Sequence, residues 1–135
     1  MKFSFQRRTD LALSALRQLA MSEDSVSGSD LADALDTTVT FLPQVMSPLV
    51  KAGWVESGRG PGGGYRLSER ANGISLLDVV ERMEGPPDSG RCILRDDECP
   101  GEQACQMHTV WTEVRQLLIE GLRSIPATSQ QGEQP

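Results

Sequence analysis

The chain has 135 residues and a net charge of −6, and its three cysteines and single histidine all lie between residues 92 and 108. This length suits one domain with an appended arm and excludes two full-sized domains. No stretch approaches the roughly eighteen apolar residues of a transmembrane helix, so we expect a cytoplasmic protein without membrane contact. Cytoplasmic thiols stay reduced, and an odd cysteine count favours metal binding or redox chemistry over a disulfide framework.

The charges are unevenly distributed along the chain. Residues 1–20 carry +3 and residues 51–70 carry +2, whereas residues 21–50 carry −5 and residues 71–135 carry −6. The two basic segments could form one DNA-facing surface, with the acidic remainder turned away. The negative total therefore does not exclude a nucleic-acid partner.

The first third of the chain has the pattern of a helix-turn-helix. Apolar residues at helical spacing predict a first helix from about Arg7 to Met21. Ser27 and Asp30 resemble a capping box that starts a short second helix, and a tight turn follows at Asp36. We therefore expect a third helix directly after that turn.

This third helix is predicted to begin near Thr38 or Thr40 and to end at Gly53. Pro43 would fall in its first turn, where proline is tolerated, whereas Pro48 near mid-helix predicts a kink or a lost hydrogen bond. The N-terminal end of such a helix offers side chains to base edges.

A glycine-rich hairpin follows the third helix. Strands are predicted at residues 54–57 and 65–68, with a flexible tip between them. Arg59 and Arg66 stand at the two ends of the tip, so the hairpin could approach DNA as a wing, although a plain surface hairpin would have the same pattern. A nucleotide-binding loop is a poorer interpretation, because the lysine and Ser/Thr of a P-loop are absent.

Two more helices are predicted after the wing. Ser75 and Asp78 cap a short helix that ends at Gly85, and an amphipathic helix runs from about residue 105 to residue 124. The apolar stripe of the latter could be core or a dimer seam, and we favour the seam because pairing would match a two-fold DNA site. The members of this stripe are Met107, Trp111, Val114, Leu118, Leu122 and Ile125.

These elements predict a mainly α fold with a small β-hairpin: a winged helix-turn-helix plus a long C-terminal dimerisation helix. We assign residues 1–87 to the DNA-binding domain. Residues 88–125 are assigned to a loop that contains the three cysteines, which we expect to bind a metal cluster, and to the dimerisation helix. The polar, glutamine-rich residues 126–135 are expected to form a disordered tail.

The strongest chemical signal is the cysteine loop, Cys92-x6-Cys99-x5-Cys105-x2-His108. Thiolates and an imidazole in an irregular loop can bind an iron–sulfur cluster or zinc, and these spacings suit separate cluster ligands better than paired zinc knuckles. Isolated cysteines are often buried as small hydrophobic residues, but the acidic residues between these three argue against that alternative. His108 is expected one helical turn after Cys105, on the same face.

Several motifs together resemble the family of winged-helix regulators that includes IscR and NsrR. The resemblance spans about residues 1–125. Its most specific pieces are Thr-Asp-Leu-Ala-Leu at residues 9–13, Arg-Gly-Pro-Gly-Gly-Gly-Tyr-Arg-Leu at 59–67, Ile-Ser-Leu-Leu-Asp-Val-Val at 74–80, Glu-Gly-Pro at 84–86, and Cys105-x2-His108-x2-Trp111.

The resemblance implies a homodimeric transcription regulator, a repressor, that binds palindromic double-stranded promoter DNA and senses iron or cluster status, redox state or nitric oxide. It implies an iron–sulfur cluster on Cys92, Cys99 and Cys105. The fourth ligand would be His108, with a two-iron cluster, or Asp10 of the partner subunit, with a four-iron cluster. We favour His108, because its link to Cys105 is local.

The resemblance also implies the DNA contacts. Thr38, Thr40 and Gln44 would lie in the major groove and Arg59 in or beside the minor groove. Glutamine can pair with adenine, and threonine can bond a phosphate or touch a thymine methyl, although one of the two threonines is expected to act as an N-cap. Pro43 stands where IscR-like proteins have a glutamate that helps discriminate between DNA sites, which implies a different operator.

Three alternatives remain open from the sequence. A zinc- or thiol-based DNA-binding regulator would need no iron. A small iron–sulfur electron carrier would use the cluster but would not need the helix-turn-helix and wing. An enzyme is the least favoured class, because the one histidine belongs to the cysteine group and no nucleophile–base pair is visible.

Overall fold

A computed structural model describes residues 3–95, 97–99 and 105–130. These residues form five α-helices and a two-stranded antiparallel hairpin, which confirms the predicted mainly α fold. No helix among them is long and apolar enough to cross a bilayer. In chain order the elements are α1 (Arg7–Ala20), α2 (Gly28–Ala34), α3 (Leu42–Lys51), β1 (Val55–Gly58), β2 (Gly64–Leu67), α4 (Leu76–Glu84) and α5 (His108–Ser124).

Local sequence signals start the short helices where they were predicted. The Ser27 hydroxyl accepts a hydrogen bond from the Asp30 N–H at the start of α2. Ser75 and Asp78 form a reciprocal capping box at the start of α4, and Gly85, with φ 91°, ends that helix. Such caps satisfy backbone groups that the helix itself leaves unpaired.

The third helix begins later than predicted. The Phe41 N–H is bonded to the Thr38 hydroxyl (3.1 Å) and the Leu42 N–H to the Thr38 carbonyl (2.9 Å). Thr38 therefore caps a turn ahead of the helix, so Thr40 lies in that turn and not in α3. Pro43 lies in the first turn of α3, as predicted, and the helix continues through Pro48, whose carbonyl accepts a hydrogen bond from Arg82 Nε (3.1 Å).

The wing is fixed to the start of α2. Both strands are displaced by one residue from the prediction, and Gly58 pairs with Gly64 at the turn end of the hairpin. Val26 and Tyr65 exchange two backbone hydrogen bonds, each 2.8 Å long. The approach is so close that a Cβ on Gly64 would lie 2.3 Å from the Val26 carbonyl oxygen, and φ at Gly64 is +128°. Only glycine fits there without displacing the strand.

The core surrounds α1, which packs against α2, α3, α4 and β2. The apolar stripe predicted for α1 supplies the buried face of that helix. The core cluster as a whole comprises Leu11, Ala12, Leu13, Ala15, Leu16, Leu19, Leu31, Ala32, Leu35, Leu42, Val45, Met46, Leu49, Val55, Val79, Met83 and Ala127.

The segment after α5 corrects the predicted tail. Residues 126–130 are not a free tail, because the Ala127 N–H donates to the Ile74 carbonyl (2.9 Å) and Ala127 is fully buried. The Ile125 carbonyl accepts from the Leu76 N–H (2.8 Å). The small, apolar Ala127 side chain can enter the core, which the polar composition of the segment concealed. Residues 131–135 of the predicted tail lie outside the described residues.

Candidate metal centre and nucleic-acid interface

The three cysteine sulfurs converge. They lie within 4.8 Å of one another, and the Sγ atoms of Cys92 and Cys105 are 3.3 Å apart. Cys92 is buried, Cys99 and Cys105 are half-buried, and all three are free thiols. This soft donor set fits iron or zinc, which prefer thiolate ligands.

Backbone contacts in the loop bring the sulfurs together. The Cys92 N–H donates to the Asp97 carbonyl (2.8 Å), and Arg91 and Glu98 form a β-bridge, so the chain folds back between Cys92 and Cys99. The Cys105 N–H then donates to the Cys99 sulfur (3.4 Å). Residues 96 and 100–104 of this loop lie outside the described part of the chain.

Adjacent Cys92 and Cys105 differ in acidity. Hydrogen bonds, first from the Leu94 backbone and then from the Cys105 thiol, lower the pKa of Cys92 from 9.0 to about 6. The same thiol contact, with Cys92 as the acceptor, raises the pKa of Cys105 above 9.0. Near neutral pH the pair therefore holds one thiolate and one thiol, and the thiolate form is the one that binds metal.

Arg95 is a functional candidate that the sequence analysis did not single out. Its guanidinium hydrogen-bonds the sulfurs of Cys92 and Cys99, and these contacts raise the pKa of Arg95 above its ordinary value. It places a positive charge beside sulfurs that would carry negative charge as metal ligands. The sequence signal was weak, because Arg95 stands among acidic residues and its long side chain could point anywhere.

A cavity of about 150 Å³ adjoins the sulfurs. His108 is on its wall, but α5 begins at His108 and not at Cys105, so the two residues do not share a helical face as predicted. They are linked instead by a turn in which the His108 N–H donates to the Cys105 carbonyl (3.0 Å). Trp111 and Arg115 also line the cavity, and Arg115 is paired with Asp88 at 3.2 Å.

Asp10 lies elsewhere in the protomer, exposed on the first turn of α1. It is not among the described residues that line the cavity. The contribution predicted for it comes from the partner subunit, so its position within one protomer leaves that alternative open.

The predicted DNA contacts lie on the surface. Thr38, Thr40 and Gln44 are exposed at the turn before α3 and on its first turn. Arg59 is exposed on the wing, whereas Arg66 is engaged across the hairpin in an ion pair with Glu56 (2.7 Å). The two arginines predicted at the ends of the tip therefore differ, since among the described residues a carboxylate pairs with Arg66 and none pairs with Arg59.

A helix-turn-helix with a wing fixed beside it and a three-cysteine centre next to its last helix defines a winged-helix transcription regulator. A model of the Rrf2 family, described as an iron-dependent transcriptional regulator, matches residues 5–126. The chain belongs to the Rrf2 family. The resemblance predicted from the motifs is confirmed at this level, and because the family consists of regulators, the chain is not an enzyme.

Individual relatives agree with this assignment. The chain is 33% identical to the HTH-type transcriptional regulator BadM of Rhodopseudomonas palustris, over 96% of this chain and 81% of BadM. It is 35% identical to IscR of Photobacterium profundum, over 84% of this chain and 67% of that protein.

Solved structures show the same fold. The global cysteine regulator CymR of B. subtilis superposes with a TM-score of 0.73 at 26% identity, covering 93% of this chain and 94% of CymR. IscR of T. potens gives a TM-score of 0.71 at 26% identity, covering 94% of this chain and 85% of that structure.

Proposed function

We propose that this chain is an iron–sulfur cluster-dependent repressor that binds palindromic promoter DNA as a homodimer. The observation that carries the proposal is the convergence of three thiols within 4.8 Å beside the start of α5. Cys92, Cys99 and Cys105 would hold the cluster, with His108 as the fourth ligand and Asp10 of the partner subunit as the alternative. When bound, the cluster would hold the three cysteines together, and its presence would depend on iron supply, oxidants or nitric oxide.

The position of the loop links the cysteines to DNA binding. The loop leaves α4 at Gly85 and enters α5 three residues after Cys105. Fixing the three sulfurs therefore fixes the direction in which α5 begins. In a dimer joined through α5, this direction sets the separation of the two α3 helices, which must match a DNA repeat of about 34–36 Å.

The exposed side of α5 supports dimerisation. Val110, Val114, Leu117 and Leu118 are about half or more exposed, and they form one apolar row along the helix. Gly121 continues this row, and a Cβ there would meet no other part of the described protomer within 4 Å beyond its own helix backbone. A glycine inside a helix costs about 0.5–1 kcal/mol relative to alanine. Nothing among the residues that the structure describes requires a glycine at this position, so close approach by a second helix explains it best.

Zinc is the second candidate cofactor. A tetrahedral ion with Zn–S bonds of about 2.3 Å holds its sulfurs roughly 3.8 Å apart. The observed sulfurs, all within 4.8 Å of one another, also suit that arrangement. A zinc-stabilised regulator would keep the same fold and DNA interface without sensing through iron.

Native mass spectrometry of anaerobically prepared protein tests the proposal. We expect a coloured dimer whose added mass corresponds to iron and inorganic sulfide in each subunit. An added mass of zinc without sulfide would select the second candidate instead. A colourless, metal-free protein would contradict both.

Replacement of Cys99 tests the link between the centre and DNA. Cys99→Ala should remove the visible absorbance, and operator affinity should no longer differ between cofactor-loaded and cofactor-free preparations. Leu94→Ala is the matched control, because this loop side chain is 63% exposed and contributes no ligand atom. If Cys99→Ala binds DNA like the cofactor-loaded wild type, the centre does not control DNA binding.

A further inference from the structure

The turn before α3 and the first turns of α3 present one exposed surface, which we call the reading surface. The chain carries no charged residue from Thr37 to Val50. This surface therefore cannot attract phosphates through charge, and its chemistry suits base edges instead. The exposed residues that form it are Thr38, Val39, Thr40, Pro43, Gln44 and Ser47.

Val39 is the exposed aliphatic side chain of the turn. It is 58% exposed although it is large and hydrophobic. Its backbone is held on both sides, because Thr38 accepts two hydrogen bonds from the Phe41 N–H and Leu42 is buried in the core. A β-branched side chain has little rotameric freedom, so Val39 is held facing outward.

The other exposed apolar side chains differ in position. Most of them lie in the cysteine loop or on α5, where the proposed dimer seam accounts for those of the helix, whereas Phe3 and Met21 flank α1. Val39 instead lies between Thr38 and Thr40, on the surface proposed to enter the major groove. The apolar group that base pairs present in that groove is the 5-methyl group of thymine.

We infer that Val39 is a specificity-determining residue that contacts a thymine methyl group in each half-site of the operator. This inference rests on the proposed DNA-binding function and adds to it the kind of base that is read. Burial of one methyl group contributes a factor of about four in affinity. Val39 therefore selects thymine over cytosine or uracil at one position without forming a hydrogen bond.

The test uses a duplex that the wild-type protein enriches from a pool of random double-stranded DNA. Each thymine of the enriched duplex is replaced singly by deoxyuridine, which removes the methyl group and leaves base pairing intact. For the wild type, one position in each half-site should lose about fourfold in affinity, measured by fluorescence anisotropy at constant salt.

Val39→Ala should bind the unmodified duplex more weakly and should lose the penalty at that same position. Val39→Ile, which keeps the branched apolar side chain, should retain the penalty. Met21→Ala is the matched control, because Met21 is similarly exposed (60%) but lies at the end of α1, and it should behave like the wild type.

Two results would overturn the inference alone: a Val39→Ala variant with an unchanged penalty, or a wild type that binds its enriched duplex with no methyl-sensitive thymine. If the wild type enriches no duplex from the pool, the proposed function fails together with this inference. Thermal melting of Val39→Ala identifies a misfolded variant, and Val39→Ser, which carries no methyl group, then repeats the comparison and should likewise lose the penalty.

Discussion

The two adjacent thiols of Cys92 and Cys105 define the chemistry of the centre at the scale of single residues. Cys92, with a pKa of about 6, is already a thiolate at pH 7, whereas the raised pKa of Cys105 keeps that thiol protonated. A metal that binds all three sulfurs must displace at least the proton of Cys105. Cofactor binding should therefore release protons and strengthen as the pH rises.

The acidity of Cys92 can be measured in reduced, cofactor-free protein through the ultraviolet absorbance of thiolates. We expect a first deprotonation step with a midpoint near pH 6. Cys92→Ser should remove this step. Cys105→Ala should move it upward, because the thiolate would lose its S–H donor. A first step near pH 9 in the wild type would contradict the assignment.

Arg59 and Arg66 provide a matched pair of wing variants. Arg59→Ala should weaken operator binding and reduce the slope of log affinity against log salt by about one phosphate contact. Arg66→Ala should change the slope less, since Glu56 already pairs with that guanidinium at 2.7 Å. Equal slopes for Arg59→Ala and the wild type would mean that the wing does not touch phosphate.

At the scale of elements, the first turn of α1 connects two distant parts of the chain. The Glu84 carboxylate, at the end of α4, accepts hydrogen bonds from the Gln6 N–H (2.7 Å) and the buried Thr9 hydroxyl (2.6 Å). On the other side, Arg7 donates to the carbonyl of Asp36 (3.4 Å), in the turn between α2 and α3. The end of α4, where the cysteine loop begins, is thus linked through α1 to the helix-turn-helix.

Replacement of Glu84 should destabilise this junction. Glu84→Ala removes the acceptor of two hydrogen bonds and a negative charge at the N-terminus of α1, and we expect a loss of about 1–2 kcal/mol in the free energy of unfolding. Urea denaturation measures it. Glu81→Ala, an exposed change one turn earlier in α4, is the control, and equal stability of the two variants would contradict the role of Glu84.

Local signals explain why the elements could be predicted from the sequence. Ser27, Ser75 and Gly85 act on backbone groups within a few residues, so the sequence alone locates the helix ends that they form. The predicted start of α3 was wrong, because Thr38 can cap either a helix or a turn. Only the packing of Phe41 and Leu42 distinguishes these two possibilities.

At the scale of the whole molecule, α5 has two apolar sides. Leu122 is buried and Trp111 is half-buried on the side that faces the protomer, whereas Val114 and Leu118 are exposed. The single stripe predicted from the sequence therefore divides between the core of the protomer and a free surface. That free surface is the proposed dimer seam.

Leu118→Glu should separate the proposed dimer. A carboxylate desolvated in an apolar seam costs several kcal/mol, so we expect the dimer dissociation constant to rise by about two orders of magnitude. Sedimentation velocity measures this change. Gln116→Glu adds the same charge on the opposite side of α5 and should leave the dimer intact. A dimeric Leu118→Glu protein would locate the interface elsewhere.

The candidate site was only partly predictable from the sequence, because some of its contacts form between residues that are distant along the chain. The cysteine spacing was sufficient to predict that Cys92, Cys99 and Cys105 converge. The contact of Arg95 with two sulfurs, and that of Glu84 with Thr9 across 75 residues of sequence, depend on tertiary packing. Composition alone could not have located either contact.

The docking of Ala127 fixes the C-terminal end of α5, which can act as a fulcrum about which the rest of the helix tilts. The helix is secured near its C-terminal end, where Leu122 and Ala127 are buried, while its other end stands beside the sulfurs with His108 exposed. Seventeen residues at 1.5 Å each make a lever arm of about 25 Å. A tilt of only about 5° at the fulcrum would swing the sulfur-proximal end by roughly 2 Å.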